Sequence, residues 1–132
     1  MNYALVITFI FMMAYADACR TQTPDEREGH ERNPLEFNIA NIQRGKQFFA
    51  IHCVSCHGVD GRGDTEMREF LKTPPADLAD DQWTYGDGDD AIFDVIKEGR
   101  TLRDMPAFNE KLNDERIWQV ISYTRYLGGK RP

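Results

Sequence analysis

The chain has 132 residues and a formal net charge of −6 at pH 7, and it contains three cysteines and three histidines. Once its ends are discounted, a chain of this length holds one domain at most. The acidic balance argues against nucleic acid as a partner and against a basic patch that binds membrane surfaces. Because so small a domain buries little apolar surface by itself, we expect its core to need a further contribution.

The first 18 residues are typical of an export signal. Residues 4–13 form an apolar run that is too short to span a bilayer, and Ala16-Asp17-Ala18 is an A-x-A cleavage motif. No lysine or arginine precedes the run, so a retained membrane anchor stays the alternative. We predict a signal peptide over 1–18, which places the mature chain on the periplasmic side of the membrane.

Cys19 directly follows the predicted cleavage point, where bacterial lipoproteins carry their lipidated cysteine. Residues 20–34 are polar and include two prolines, which predicts a flexible tether over 19–35. A stray thiol is a liability in an oxidising compartment, and this favours lipidation of Cys19. Since Asp17 departs from the usual lipoprotein pattern, ordinary cleavage that leaves an unmodified Cys19 is the alternative.

The first predicted helix lies within 35–51, with Ile42 and Phe49 on its apolar face. It leads into Cys53-Val54-Ser55-Cys56-His57, a C-x-x-C-H motif of the kind that attaches c-type haem. One turn of helix holds two thiols at the separation needed to add to two vinyl groups of one porphyrin. His57 then lies under the ring with a nitrogen aimed at the iron, so we predict one covalent haem c.

A second axial ligand must come from the other side of the ring. Met105 is the candidate, because it offers a soft thioether in a proline-containing loop far enough along the chain to wrap over the haem. Met67 follows His57 too closely to do so. We therefore predict His57 and Met105 as the two iron ligands.

Three short helices are predicted after the motif. The first covers 65–72 with Phe70 and Leu71 turned inward, and the second follows a cap at Asp87, covers 88–98 and ends at Gly99. The last helix begins after the cap Asn113 and ends at residues 128–129. By residue type, we expect three side chains to line the haem pocket and reach its propionates: Trp83, Tyr85 and Arg100.

Together these features resemble class I cytochrome c over roughly Ile39 to Gly128. The shared motifs are Gly45-x-x-Phe48-Phe49, Cys53-x-x-Cys56-His57-Gly58, Pro75-Ala76-Asp77-Leu78, Met105-Pro106-Ala107-Phe108 and the closing helix around Trp118. The resemblance implies an all-α domain over 36–129, followed by a tail over 130–132. Three to five short helices would surround one haem, and the first and last would cross closely at Gly45.

The resemblance also implies details of the site and its function. A proline carbonyl, Pro75 or alternatively Pro74, is expected to accept a hydrogen bond from the second nitrogen of His57. With both axial positions filled, the expected function is one-electron transfer between exported or membrane-bound redox proteins, such as an oxidase, reductase or dehydrogenase, and not catalysis.

Three other functions stay open from the sequence. The same fold could serve as a fixed subunit of a larger membrane respiratory or dehydrogenase complex, which the tether and Cys19 favour. A peroxidase or gas-binding protein would need Met105 to dissociate. A thiol-redox or zinc module would use Cys53 and Cys56 alone, which His57 and Met105 disfavour.

Overall fold

The computed structural model describes residues 32–80 and 82–131. The predicted signal peptide over 1–18, Cys19 and most of the tether lie outside this part of the chain. Within it, the secondary structure is helical apart from one isolated bridge, which confirms the all-α prediction. The elements are α1 (Ile39–His52), α2 (Val54–His57), a 3₁₀ turn (Glu66–Phe70), α3 (Asp89–Glu98), a second 3₁₀ turn (Thr101–Arg103) and α4 (Asp114–Leu127).

Helix α1 crosses α4 at a distance that only glycine allows. A Cβ added to Gly45 would lie 1.9 Å from the carbonyl oxygen of Gln119 and 3.1 Å from Cβ of Tyr123. One turn further along, the rings of Phe49 and Tyr123 meet edge to face, with centroids 5.2 Å apart. The predicted crossing of first and last helices is confirmed, and it forms the centre of the buried core: Ile42, Phe49, Ile117, Val120, Ile121.

Polar caps fix where the two long helices begin. The side chain of Asn38 accepts a hydrogen bond from Asn41 N–H at 3.0 Å, and that of Asn113 accepts one from Arg116 N–H at 3.0 Å, as predicted for α4. The predicted cap at Asp87 is wrong, because Gly88 occupies the cap position of α3 and Asp87 makes no cap bond. Gly99 ends α3 at φ 70°, as expected.

The segment 65–72 forms a 3₁₀ turn, and this changes which side chains face inward. The side chain of Phe70, predicted to be inward, is 81% exposed, since three residues per turn place it on the same outer face as Met67. Leu71 ends the turn in an extended conformation and is half-buried, as predicted. No helix among the described residues is both long and apolar enough to cross a bilayer.

Candidate functional site

A cavity of about 490 Å³ opens between α1, α3, α4 and the irregular segments that connect them. Protein interiors are normally packed with few voids larger than a water molecule, so this space is part of the design of the domain. Most of its wall is apolar: Phe49, Leu71, Leu78, Ile92, Val95, Ile96, Phe108, Val120. All eight residues predicted to contact haem line this one cavity: Cys53, Cys56, His57, Pro75, Trp83, Tyr85, Arg100, Met105.

The two cysteines are presented by the junction of α1 and α2. The N–H of Cys53 donates to Phe49 O at 2.8 Å, and its carbonyl accepts from His57 N–H at 2.8 Å, so one residue ends α1 and starts α2. Burial, aided by the nearby Cys56, raises the pKa of the Cys53 thiol to about 12. Cys53 is therefore a protonated, shielded thiol at neutral pH, unlike the low-pKa thiolate of a redox-active C-x-x-C pair.

His57 is half-buried, and one ring nitrogen is occupied by the backbone. Its Nδ1 lies 3.2 Å from the carbonyl oxygen of Ala76, which can only accept. Burial lowers the pKa of the imidazole, against the opposing effect of this hydrogen bond. The contact favours a neutral ring with its proton on Nδ1, which leaves the lone pair of Nε2 for a metal.

The carbonyl beside His57 belongs to Ala76. The prediction that the carbonyl of Pro75, or alternatively Pro74, accepts the hydrogen bond from His57 is therefore wrong, and for Pro75 by one residue. The carbonyl of Pro75 turns instead toward Gly63, where an added Cβ would lie 2.8 Å from the Pro75 oxygen. Gly63 has φ 73°, and its N–H donates to His57 O at 2.8 Å, so the Pro75 backbone packs against a glycine that is itself bonded to the His57 backbone. Pro75 still lines the cavity.

The loop that carries Met105 is held by backbone contacts. Arg100 and Met105 form an antiparallel bridge, with N–H···O distances of 2.8 Å and 3.2 Å. A Cβ on Gly99 would lie 2.6–2.7 Å from backbone atoms of residues 105–107, so the end of α3 packs directly on this loop. Met67, by contrast, is 42% exposed and does not line the cavity.

The three side chains predicted to reach the propionates all line the cavity, but they make different contacts. The guanidinium of Arg100 lies over the ring of Tyr85 at 5.0 Å and donates to Gly99 O at 2.6 Å. The ring of Trp83 is covered by Arg125 at 5.3 Å. Sequence reasoning did not predict Lys111 and Arg103, which also line the cavity, because nothing in a loop sequence shows which cations turn inward.

His52 lines the cavity as well. Its ring packs edge to face on Phe108, with centroids 6.1 Å apart, so the residue before Cys53 contacts the Met105-Pro106-Ala107-Phe108 segment. Neither identity nor spacing predicts this contact, since it depends on how the loop folds back.

The residues present fit a covalently held haem. Two thiols one helical turn apart, a neutral histidine and a thioether reach a single apolar cavity of the size that cofactors occupy. Among residues 32–80 and 82–131, no group of three or more His, Cys, Asp or Glu side chains is placed to hold a metal ion, so this part of the chain offers no zinc cluster.

Known proteins resemble this chain over most of the described domain. Residues 40–123 match the sequence profile of a family described as "Cytochrome C oxidase, cbb3-type, subunit III". Among curated proteins, the cbb3-type cytochrome c oxidase subunit FixP of Rhizobium meliloti is 36% identical over 88 residues. That alignment covers 67% of this chain and 28% of the relative, so the chain spans under a third of FixP.

Two solved structures share the fold. A chain of the reducing HAO-like protein complex of Kuenenia stuttgartiensis superposes with a TM-score of 0.67 and 25% identity, over 71% of this chain and 46% of that one. A c-type cytochrome superposes with a TM-score of 0.54 and 32% identity, over 63% of this chain and 95% of the other. The described fold therefore recurs both within larger chains and as almost the whole of a small one.

Proposed function

Because this chain belongs to the cytochrome c family, we propose that it is an electron-transfer module with one haem c, built into a membrane-bound respiratory complex as a fixed subunit. One observation carries the electron-transfer part: Cys53, Cys56 and His57 line the same apolar cavity as Met105. When bound, the haem supplies a one-electron couple between ferric and ferrous iron.

The roles of the chain's own residues follow from their surroundings. Cys53 and Cys56 would hold the cofactor covalently, so that it could not dissociate. His57 keeps its Nδ1 proton toward Ala76 and would bind the iron through Nε2, and the hydrogen bond would make that nitrogen a more basic ligand. Met105 would supply a thioether ligand, which would favour the reduced state and raise the potential.

With His57 and Met105 both engaged, no position is left for a substrate, so we propose no catalytic role for this domain. Pro75 and Trp83 would pack on the porphyrin, and Tyr85 and Arg100 would meet its propionates, because all four line the cavity. Arg100 is already held by Gly99 O and Tyr85, which would keep its charge oriented at little further entropic cost.

The fixed-subunit part is supported by the relatives. FixP is a subunit of a cbb3-type oxidase by its name, and the matching profile is that of subunit III. A freely diffusing carrier between exported or membrane-bound partners is the second candidate, favoured by the c-type cytochrome that this domain matches over 95% of its length. A tether that begins at a lipidated Cys19 and ends before Asn33, which is hydrogen-bonded to the domain, would hold the module on the periplasmic side of a membrane.

The ligand assignment is tested by replacing, one at a time, the two methionines that follow the C-x-x-C-H motif, Met105 and Met67. After production in a host that attaches haem c, intact mass gives the number of haems and ferric and ferrous spectra give the axial ligands. We expect Met105→Ala to retain haem, lose the sulfur-to-iron charge-transfer band, lower the potential and bind cyanide. The matched control Met67→Ala should change none of these, because Met67 lies off the cavity. An unchanged Met105→Ala spectrum would refute Met105 as ligand.

Fixed and mobile forms are separated by purification from the native membrane in mild detergent. We expect a tagged chain to bring down oxidase or dehydrogenase subunits in constant stoichiometry after washes at high salt. Recovery of the chain alone, with partners lost as salt rises, would favour the mobile carrier. A Cys19→Ser chain tested in parallel shows whether membrane retention depends on a lipid or on the partners.

A further inference from the structure

One hydrogen bond joins the Met105 loop to the segment that contacts His57. The Asp104 carboxylate accepts from the backbone N–H of Lys72, with Oδ2 and N 2.7 Å apart. These residues are far apart in the chain. Asp104 lines the cavity itself, between Arg103 and Met105, and Lys72 lies between the lining residues Leu71 and Thr73. The bond therefore links two segments of the cavity wall.

The Lys72 side of this link continues to the proposed histidine ligand. Residues 73–76 all line the cavity, and they end at the Ala76 carbonyl that lies 3.2 Å from His57 Nδ1. On the other side, Asp104 immediately precedes Met105, whose backbone is paired with Arg100. A short route of covalent bonds and two hydrogen bonds thus runs from the imidazole to the thioether.

Asp104 also adopts an unusual backbone conformation. It has φ 59° and ψ 15°, and among the described residues it alone has a positive φ without being glycine. Its N–H donates to Thr101 O at 3.2 Å, which completes the 3₁₀ turn before Met105. Aspartate tolerates this left-handed region better than most residues, but glycine would fit it more easily. The Asp104 carboxylate therefore gives this position a hydrogen-bond acceptor, which glycine would lack.

We propose that Asp104 is a positioning residue for Met105: by anchoring the loop to Lys72 N–H, its carboxylate keeps the thioether directed at the proposed haem iron. This rests on the proposed function, because it presupposes that Met105 is a ligand. Loss of the bond frees the loop at its tip, while the Arg100–Met105 bridge and the Gly99 contact still hold its base. The sulfur then leaves the iron more often, and an external ligand competes for that position more easily.

Three variants separate the hydrogen bond from the backbone conformation. Asp104→Gly retains the left-handed conformation and removes the acceptor. Asp104→Asn retains both, since asparagine tolerates this region and its carbonyl can accept. Lys72→Pro removes the donor from the opposite side, and Leu71 already has the extended conformation (ψ 142°) that a residue before proline prefers.

Two quantities are measured on the ferric, haem-loaded protein: its affinity for imidazole, and the intensity of the sulfur-to-iron charge-transfer band before imidazole is added. We expect Asp104→Gly and Lys72→Pro each to tighten imidazole binding about three- to tenfold and to weaken the band, because an exposed intramolecular hydrogen bond contributes at this level. Asp104→Asn should stay within about twofold of the parent. The double variant should resemble either single variant, since both remove one bond.

The outcomes distinguish this inference from the proposed function. If Met105→Ala tightens imidazole binding and Asp104→Gly leaves it unchanged, Met105 is a ligand and the positioning role of Asp104 is wrong. If Met105→Ala itself changes nothing, the proposed ligand set fails. If Asp104→Gly does not mature with haem, Lys72→Pro carries the test, and parental affinity in that variant overturns the inference.

Discussion

At Gly45, the absence of one carbon atom lets the first and last helices of the domain touch. The Gln119 carbonyl occupies the space that a side chain would need, and it belongs to the backbone of α4, so it cannot move alone. A glycine inside a helix costs about 1 kcal/mol relative to alanine. The close packing of α1 on α4 offsets this cost.

We therefore expect Gly45→Ala to lower the free energy of unfolding by about 2 kcal/mol, because overpacking outweighs the gain in helix propensity. Chemical denaturation of the haem-loaded protein measures this. Gln43→Ala, on the exposed side of α1, is the control and should change stability by less than about 0.5 kcal/mol. Equal stability of Gly45→Ala and the parent would contradict the described crossing.

Tyr123 makes the free energy of unfolding depend on pH in the alkaline range. Burial raises the pKa of its phenol above the ordinary value of 10.0, with a smaller contribution from Tyr126. The folded state therefore keeps its proton where the unfolded state loses it. The resulting stability is fully present below pH 10 and is lost as pH rises through the higher folded pKa.

We expect the free energy of unfolding to fall above about pH 10, and to fall less steeply in Tyr123→Phe. Denaturation at a series of pH values measures the slope, and subtraction of the two curves removes the contribution of every other titrating group. A Tyr126→Phe protein serves for comparison, since Tyr126 is more exposed. Identical slopes for parent and Tyr123→Phe would show that burial does not perturb this phenol.

Among the elements, α3 and α4 are joined by an arginine that also secures the start of the described domain. Arg125 donates to the Asp89 carboxylate at 2.7 Å, contacts the Asp87 carbonyl and covers the ring of Trp83. The other carboxylate oxygen of Asp89 accepts from Asn33 N–H at 3.0 Å. The side chains of Arg125 and Asp89 are only 13% and 20% exposed, which makes this pair stronger than a surface ion pair.

We expect Arg125→Met to cost about 2 kcal/mol of stability, because it leaves a largely buried carboxylate with fewer donors. Hydrogen exchange at Asn33 should accelerate, since its acceptor loses an anchor. Lys97→Met is the matched control, because it breaks an ion pair to Asp114 whose side chains are 33% and 64% exposed. That change should cost less than about 1 kcal/mol. Equal losses of stability in Arg125→Met and Lys97→Met would mean that the Arg125–Asp89 pair contributes no more than a surface ion pair.

At the level of the whole molecule, the stability of the domain depends on what fills the cavity as well as on how the helices pack. A group that fills this cavity of about 490 Å³ would add packing contacts to its apolar walls and so raise the stability of the domain. The cofactor therefore completes the core as well as supplying the redox chemistry.

We expect a Cys53→Ser/Cys56→Ser chain, which cannot attach haem, to retain helical far-ultraviolet dichroism but lose near-ultraviolet dichroism and cooperative unfolding. The control Cys19→Ser should attach haem and unfold cooperatively, because Cys19 lies outside the C-x-x-C-H motif. A double-serine chain that unfolds as sharply as the loaded protein would mean that the cavity walls are self-supporting.

Predictions that rested on side-chain chemistry agree with the structure better than predictions that depended on the path of the backbone. Thiol spacing and a late methionine identified residues that line one cavity, and Asn113 and Gly99 marked helix ends correctly. Ala76 was missed because a carbonyl has no signature in residue type. Phe70 was placed inward on a helical period of 3.6 residues, whereas the chain forms a 3₁₀ turn. The Lys72–Asp104 bond joins distant loops, which no local pattern reveals.

The crossing at Gly45 also sets the order of events in biogenesis. The domain closes by pairing its first helix with its last, so closure waits until the carboxyl-terminal stretch has been delivered, and forming such distant contacts is slow. Until then the cysteine pair stays accessible in an open polypeptide. Attachment of the proposed haem thus has a time window that ends at closure, and variants that hasten helix pairing should shorten that window.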